Sequence, residues 1–398
     1  MPAPTAHPTI DLLRNASPAA VDVFTRILTR GPISRIDIAR LTGLSQAAVT
    51  KAVAPLIAAG IVTDHHEQPK GGLPGRPATL LRIVAESLVT IGVKVNEDDI
   101  IGVATDLTAT ILASTHRSIG DGSFKSVLDD IVVVVEELKE LLGDRIDRLA
   151  GVGVAVSGDV DSLRGIVRES ALLGWAREPL GTALRERLDL DVLVENDVRA
   201  LTIAEHWFGV GVGTASFAIV TIGSGIGCGL HVNGEVVEGA YGVAGEIGHL
   251  PLTSSDRICT CGRRGCVETV ASSHAIVGAA SGPDRQGLSV QDVVDLAHAG
   301  DSRAVEAFDQ AGTVIGTAIA TMVNLAGPEL VLISGEAVAD YDLYDTHLRA
   351  AFAEHAFGAA AGCRIVVRPN TFDDWARGAA ASVIRAIVTQ RYPVPRKL

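Results

Sequence analysis

The sequence predicts an α/β protein with a small N-terminal head and a larger domain of two lobes, and three observations lead to this prediction. Apolar residues recur at helical spacing before residue 64, whereas strand-like and helix-like segments alternate beyond residue 88. A segment rich in Pro and Gly separates the two patterns. At 398 residues with 47% hydrophobic content, the chain is long enough for two or three domains.

The charge of the chain is distributed unevenly. Residues 1–82 contain nine Lys or Arg and five Asp or Glu, a net charge of +4, whereas the whole chain carries −13. The rest of the chain therefore carries −17. A basic N-terminal part suits a polyanionic partner such as DNA, and an acidic remainder does not. We expect the two parts to bind different partners.

The sequence carries no targeting or membrane signal that we recognise. Residues 1–20 contain no apolar run flanked by basic residues. No later segment offers the roughly 18 uncharged apolar residues that a membrane span needs. We therefore expect a soluble cytoplasmic protein without a membrane partner.

The head is predicted to be a winged helix-turn-helix domain over residues 21–83, after an N-terminal arm of residues 1–20. Three helices are expected between residues 21 and 63, and Gly43 separates the second helix from the third, for which Ser45 is the expected N-cap. The Pro- and Gly-rich run QPKGGLPGRPATLLRI follows, and two short extended pieces within it would form the wing.

The third helix is the expected DNA-reading element, because the second helix of a helix-turn-helix lies in the major groove. Ser45 opens this helix, and Gln46, Thr50 and Lys51 lie within its first two turns. Gln pairs with adenine, Thr contacts bases or phosphates, and Lys neutralises phosphate or reaches guanine. Arg76, in the GRP of the wing, suits a narrow A·T-rich minor groove. The alternatives are a helical packing unit with solvated side chains and a simple loop at GRP.

The larger domain is predicted over residues 84–398 with two lobes. The first lobe, about residues 84–198 plus the C-terminal helix, contains the strand-like LVTIGVKV, IIGVATDL, TILAS, GVGVAVSG and VLVEND and the helix VLDDIVVVVEELKELL. The second lobe, residues 199–380, contains the strand-like SFAIVTIGSGIGCGLHV, the helix GTVIGTAIATMVNLA and the strand ELVLISG. Two successive α/β halves fit a two-lobed fold with a ligand cleft between the lobes.

A cluster of cysteines predicts a metal site. Cys259, Cys261 and Cys266 fall within eight positions, and His249 lies ten residues before the first of them. A Cys3His set suits tetrahedral zinc in a site with no open coordination position, so we assign zinc a structural role. Free cysteines in a loop are the alternative, but such clustering would expose reactive thiols.

Five segments resemble the ROK family, which groups sugar-dependent repressors, uncharacterised open reading frames and sugar kinases. They are TIGSGIGCG, VENDVRA, GEIGH, CTCGRRGCVE and the GRP of the predicted wing. The resemblance extends over about residues 21–385, and GEIGH together with CxCGxxGCxE is its most specific part. It implies a sugar-kinase-like fold, actin-like and related to ribonuclease H, with a zinc-binding loop.

The resemblance also implies a sugar site. Asp197 matches the catalytic base of the family's kinases, and Asn196 matches the neighbouring residue that holds sugar hydroxyls. Glu246, His249 and Glu268 match the remaining sugar contacts, so that His249 would bind zinc with one ring nitrogen and face the sugar with the other. Carboxylates and amides suit adjacent hydroxyls. For any one of the carboxylates and the amide, helix capping or turn formation is the alternative.

The phosphate-binding motif that the family's kinases share is altered in this chain. Where the kinases have D-x-G-x-T, the chain has IGVKVNEDDI, so that Lys94 replaces Asp, Asn96 and Glu97 replace the glycines, and Asp98 replaces Thr. Two carboxylates would repel a triphosphate if they were desolvated. The segment SGEAV keeps only Gly335 of a second glycine-rich motif, whereas TIGSGIGCG is intact.

We therefore predict a regulator with no catalytic residue and no enzymatic activity, in which Asp197 is a vestigial base. The predicted partners are double-stranded operator DNA, expected to be a palindrome, and a sugar effector, with the chain acting as a homodimer or a dimer of dimers. The runner-up hypothesis is an ATP-dependent sugar kinase that retains a DNA-binding head. A ligand-insensitive DNA-binding or assembly protein is a third.

Overall fold

The computed structural model describes residues 8–66, 79–282 and 285–391. The chain forms two compact units, one of Met1–Val212 with Asp373–Leu398 and the other of Gly213–Phe372. The boundary follows Val212, later than the 198/199 lobe boundary that the sequence predicts. The reason is that the helix after residue 196 packs closely on the first unit's C-terminal helix, where Gly378 lies against the backbone of Ala200.

The described residues of the head of the first unit form four helices and a small antiparallel sheet. The helices are α1 (Pro8–Arg14), α2 (Pro18–Arg30), α3 (Arg35–Thr42) and α4 (Gln46–Ala58). The strands are β1 (Ile33–Ser34), β2 (Val62–His66) and β3 (Thr79–Ile83), in the order β1-β3-β2. Helix α1 lies within residues 1–20, for which the sequence predicts an N-terminal arm.

Serine caps set the starts of the last three helices of the head. The side chains of Ser17, Ser34 and Ser45 each accept a hydrogen bond from a backbone N–H of the first turn. Gly43, with a φ of 70°, ends α3 in the left-handed conformation that favours glycine. Helices α2, α3 and α4 contact one another and bury Val23, Phe24, Ile27, Ile38, Val49 and Val53.

The α/β part of the first unit is built on a five-stranded sheet in the order β11-β7-β4-β5-β6. Strands β4 to β6 are antiparallel neighbours, whereas β7 and β11 run parallel to β4. The elements are β4 (Val89–Val95), β5 (Asp99–Asp106), β6 (Ile111–Ser118), α5 (Phe124–Leu142), β7 (Leu149–Val156), β8 (Asp159–Asp161), β9 (Ile166–Ser170), β10 (Trp175–Glu178), α6 (Leu180–Leu188), β11 (Val192–Asn196) and α7 (Asp197–Phe208). Strands β8 to β10 form a separate small sheet.

The core of this part lies on both faces of the sheet. On one face the apolar stripes of α5 and α6 pack against β4, β7 and β11. On the other face Ala200 of α7 and Ala379 of the C-terminal helix pack against Ala155. Gly92 and Gly153 lie so close to the backbone of this C-terminal helix that a side chain at either position would collide with it.

The second unit repeats the same sheet topology. Its five strands have the order β14-β13-β12-β15-β16, with three antiparallel strands followed by two that run parallel to β12. The elements are β12 (Phe217–Ile222), β13 (Ile226–Val232), β14 (Glu235–Val236), α8 (Glu268–Ala271), α9 (Ser273–Ser281), α10 (Val290–His298), α11 (Ser302–Ala326), β15 (Leu330–Ser334), α12 (Asp342–His355) and β16 (Arg364–Val367). The chain then returns to the first unit through α13 (Phe372–Val388).

The head contacts the α/β part of the first unit at several points. Helix α2 contacts α7. The guanidinium of Arg14 lies 2.6 Å from the carboxylate of Asp191, and the side-chain amide of Gln390 donates to the carbonyls of Leu13 and Ala16 at 3.0 and 2.8 Å. Residues that follow α13 therefore hold the segment that joins α1 to α2.

No single helix among the described residues is long and apolar enough to cross a bilayer. Helices α3 and α4, which meet at a bend of 114°, reach the required length and apolar composition only as a pair.

Candidate functional site

The four predicted metal ligands come together in the second unit. One ligand atom from each of His249, Cys259, Cys261 and Cys266 lies within 4.8 Å of the others. Cys259 Sγ is 3.5 Å from His249 Nδ1, and Cys261 Sγ is 3.7 Å from Cys266 Sγ. This cluster could hold a metal ion.

Short backbone pairings bring the distant ligands together. Pro251 pairs with Cys266 in an isolated antiparallel bridge, which places the last cysteine beside the segment that follows His249. A turn closes between Cys259 and Arg263, because the Cys259 N–H donates to the Arg263 carbonyl at 2.8 Å. Gly262, with a φ of 79°, allows this turn.

Burial affects the thiols of the cluster. It raises the pKa of the Cys266 thiol to about 12 and also raises the pKa of the Cys259 thiol. Metals bind the thiolate form, so a cation at this site would displace the protons of both thiols.

Three of the predicted sugar contacts lie next to the metal cluster. His249 directs Nδ1 toward Cys259, while its Nε2 lies 3.9 Å from the Glu246 carboxylate. One carboxylate oxygen of Glu268 accepts from the Ile226 N–H at 3.0 Å, and the other lies 3.7 Å from His249 Nδ1. His249 therefore stands between the cysteines and Glu246, with one ring nitrogen facing each.

The other two predicted sugar contacts lie in the first unit, at the junction of β11 and α7. Asn196 is the N-cap of α7, since its side-chain oxygen accepts from the Arg199 N–H at 3.0 Å. Its side-chain amide donates to the Gly158 carbonyl at 3.0 Å. These bonds fix the orientation of the amide and leave one N–H and one lone pair for a ligand.

Asp197 is paired with a lysine. Lys94 Nζ donates to Asp197 Oδ2 at 2.5 Å, and the two side chains are only 5% and 10% exposed. The same ammonium group lies 5.6 Å from the centre of the Trp375 ring. The residue that replaces the phosphate-loop Asp thus neutralises the carboxylate that matches the kinase base.

A second buried ion pair, between Glu195 and Arg199, lies next to Asn196. The sequence patterns did not predict it. The Glu195 carboxylate accepts from Arg199 Nε at 2.7 Å, from the Ser162 hydroxyl at 2.7 Å and from the Asn196 N–H at 2.9 Å. Glu195 and Arg199 are spaced i,i+4 across the start of α7. The charged residues within VENDVRA were the available signal for this network.

The hairpin turn between β4 and β5 carries the other replaced motif residues. Asn96 closes it, with its side-chain amide donating to Asp99 Oδ1 at 2.8 Å. Glu97 and Asp98 are exposed. Solvent therefore screens their charges, and the desolvated repulsion considered from the sequence does not apply to them.

The predicted DNA contacts lie on the surface of the head. Ser45, Gln46, Thr50 and Lys51 are all exposed at the start of α4, while the same helix buries Val49, Val53 and Leu56. The Ser45 hydroxyl caps the helix by accepting from the Ala48 N–H. Arg76 lies outside the described residues.

A family model described as the ROK family matches residues 90–386. The chain belongs to the ROK family. The match confirms the resemblance that the sequence motifs indicate. The α/β parts of the two units belong to a sugar-kinase-like ROK domain. The head lies before the matched region.

Curated ROK relatives of similar length match most of the chain. The DNA-binding transcriptional dual regulator NagC of Escherichia coli is 29% identical over 336 residues, which cover 82% of each chain. The xylose repressor of Bacillus subtilis is 26% identical over 335 residues, which cover 84% of this chain and 86% of the repressor.

Two solved ROK structures differ in how much of the chain they match. A ROK family transcriptional regulator, a homologue of the Escherichia coli Mlc protein, covers 93% of this chain at 26% identity with a TM-score of 0.78. A ROK family glucokinase from Streptomyces griseus, solved with glucose and AMPPNP, covers 73% at 25% identity with a TM-score of 0.65. Both structures are covered almost completely, at 96% and 98% of their own lengths.

Proposed function

We propose that this ROK protein is a sugar-responsive DNA-binding repressor of genes for carbohydrate uptake or metabolism. The observation that carries the proposal is the extent of the structural matches. The regulator covers 93% of the chain, whereas the glucokinase covers 73%. The additional matched length accommodates a head that precedes the ROK region at residue 90.

Two features of the described head support the proposal that it is a winged helix-turn-helix. Helices α3 and α4 meet at a bend of 114°, which lies in the range typical of this motif. Gln46, Thr50 and Lys51 project from the exposed start of α4, the part of a recognition helix that meets base edges. Ser45 and Arg76 complete the proposed contacts. A palindromic operator read by a homodimer or a dimer of dimers follows from the half-site geometry of such motifs.

The proposed effector is a sugar, with Asn196 and Asp197 as proposed contacts in the first unit and Glu246, His249 and Glu268 as proposed contacts in the second. Relatives named for N-acetylglucosamine and xylose support this class of ligand. Helix α7 begins at Asp197 and contacts α2 of the head, so a change at the sugar-facing end of α7 has a direct path to the DNA-reading helices.

The ion pair between Lys94 and Asp197 favours a regulator over a kinase. A general base must be able to reach a proton of the sugar hydroxyl, but Asp197 Oδ2 already accepts from Lys94 Nζ at 2.5 Å and Oδ1 from the Val198 N–H at 2.9 Å. The kinase hypothesis would need Lys94 to move away. We propose that Asp197 is a hydrogen-bond acceptor only and that the chain is not an enzyme.

We propose zinc as the metal of the Cys3His cluster, in a structural role. Bond lengths of about 2.3 Å to sulfur and about 2.0 Å to nitrogen in a tetrahedron imply S···S and S···N edges of about 3.8 and 3.5 Å. The two ligand distances of 3.7 and 3.5 Å fit those edges. Zinc bound here would fix the His249 ring and hence the face that its Nε2 offers.

Operator selection followed by titration tests the repressor proposal. The full chain is used to select binding sites from a random duplex library, and fluorescence anisotropy then measures affinity with N-acetylglucosamine, glucose, xylose and their 6-phosphates. We expect Lys51→Ala to weaken DNA binding and to lower the salt slope by about 1. Lys125→Ala, outside the head, is the matched control.

Two results would contradict the proposal. One is the failure of library selection to enrich any sequence. The other is sugar-dependent ADP release that Asp197→Asn abolishes, which would establish the kinase alternative.

A further inference from the structure

The turn between β12 and β13 retains the glycines of a phosphate-binding loop. Gly223, Ser224 and Gly225 form it, and the Gly223 N–H donates to the Gly225 carbonyl at 3.1 Å. The turn is anchored from outside by the Ser273 N–H, which donates to the Gly223 carbonyl at 2.8 Å. The Ser224 N–H is directed away from this internal bonding. Backbone N–H groups presented in this way are the donors that loops of this kind offer to phosphate oxygens.

A carboxylate of the chain itself occupies this turn. The Ser224 N–H donates to Glu336 Oε1 at 2.7 Å. The carboxylate also lies directly against Gly223, so closely that a Cβ at this position would overlap it. The space that a phosphate group would need beside the glycines is therefore taken by Glu336.

The backbone after β15 places Glu336 over the turn. Gly335 has a φ of 110°, a conformation that favours glycine, and it packs against the backbone of Ile222. A 3-10 turn follows, and Glu336 is its first residue. Ser224 and Glu336 are thus brought together across 112 positions of sequence.

We infer that Glu336 is an internal anion that determines specificity at this turn by excluding phosphate-bearing ligands. A carboxylate oxygen satisfies the same backbone donor as a phosphate oxygen, and a second anion beside it would be repelled. The inference does not depend on the proposed repressor function. The inference concerns anion binding in the second unit, whereas the proposed function concerns DNA binding by the head. An experiment that contradicts one of them therefore does not contradict the other.

A purely structural role for Glu336 makes a different prediction. If the carboxylate only fastens the turn after β15, then its removal should lower stability and leave anion binding unchanged. If it excludes anions, its removal should open the turn to them. Binding of a small anion separates these two roles.

The test is titration of the full chain with inorganic pyrophosphate, in which calorimetry and thermal shift measure the binding. We expect Glu336→Ala, which removes both the charge and the side chain, to lower the dissociation constant for pyrophosphate at least about tenfold relative to the unmodified chain. Glu336→Gln removes the charge alone, so it should lower the dissociation constant by a smaller factor. Glu306→Gln is the matched control, because it removes one negative charge from α11 of the same unit, where Glu306 bonds to Gln310 and not to a backbone N–H.

A double variant locates the binding. In Gly223→Ala/Glu336→Ala the new methyl group refills the space beside the turn, and the gain in affinity should be lost. The inference is overturned if neither Glu336 variant binds pyrophosphate more tightly, if Glu306→Gln gains as much, or if the double variant keeps the gain. Glu336→Gln retains the size of the side chain and serves if Glu336→Ala does not fold.

Discussion

The first hairpin turns of the two five-stranded sheets occupy the same place in the same topology, yet their chemistry differs. Between β4 and β5 the turn contains Asn96, Glu97 and Asp98, whereas between β12 and β13 it keeps Gly223 and Gly225. The first turn contains no glycine, whereas the second contains two. Identical strand order therefore does not determine which residues form the turn.

A charged side chain lies beside each of these turns. Lys94, at the end of β4, pairs with Asp197, and Glu336 binds the turn after β12. In the first unit a cation neutralises the carboxylate that matches a kinase base. In the second unit an anion fills a phosphate-type turn. The two units thus share a fold and differ in the charged side chain that lies beside this turn.

Metal removal should have the largest effect, because it should lower hydrogen-exchange protection in the second unit and not in the first. A strong chelator should abolish hydrogen-exchange protection over residues 246–268, a loss of local opening free energy on the order of 5 kcal/mol, and leave β4 and β7 protected. Mass spectrometry of deuterium uptake measures both regions. Cys266→Ser should resemble the chelated protein, and Cys363→Ser, outside the cluster, should not. Equal loss of protection in the first unit would contradict this difference.

Breaking the ion pair of the first unit should have the next largest effect. Lys94→Met leaves the Asp197 carboxylate buried without a counter-charge, and we expect the free energy of unfolding to fall by about 4 kcal/mol. Urea denaturation measures the change. Lys94→Met/Asp197→Asn removes both charges and should recover most of the loss. An unchanged midpoint in the single variant would show that the pair does not stabilise this unit.

A methyl group at the second turn should have a smaller effect. Gly223→Ala forces the Glu336 carboxylate away from the Ser224 N–H, which should cost about 1–2 kcal/mol. Gly362→Ala is the control, because a Cβ at Gly362 meets nothing within 4 Å. Thermal denaturation compares the two, and the same loss in both variants would argue against a close approach at Gly223.

Neutralising the exposed carboxylates of the first turn should have the smallest effect. Glu97→Gln and Asp98→Asn should each change the free energy of unfolding by less than about 0.5 kcal/mol, because solvent screens both charges. Urea denaturation again gives the comparison. A shift as large as that of Lys94→Met would mean that these side chains are desolvated in solution.

Sequence patterns predict contacts between residues that are close in sequence, and they do not predict side-chain pairs that are far apart in sequence. The ligands His249 to Cys266 span a short segment whose spacing alone indicates a shared metal, and the structure brings them together. Lys94 was identified as a replacement, but its partner lies 103 residues away, and no periodicity indicates such a pair. Glu336 was noted only as part of a degraded motif for the same reason.

Short elements also escaped prediction. Helix α1 has seven residues and strand β8 has three, too few for a hydrophobic period to be visible. The main strands and long helices of both units lie where alternation and helical spacing place them. Long elements are predictable and short ones are not because a long element contributes more apolar positions to a core, and its period is therefore visible in the sequence.

Because α13 returns to the first unit, the two units are completed in a fixed order as the chain is synthesised. The second unit is continuous in sequence, over Gly213–Phe372, whereas the first needs residues from Asp373 onward. On the ribosome the second unit is thus complete in sequence before the helix that covers Gly92 and Gly153 has been made. Until then that face of the β4–β7 sheet lacks α13 and has α7 against it, a partly exposed state that is prone to aggregation. A chain interrupted just before α13 would carry a finished second unit beside an unfinished first.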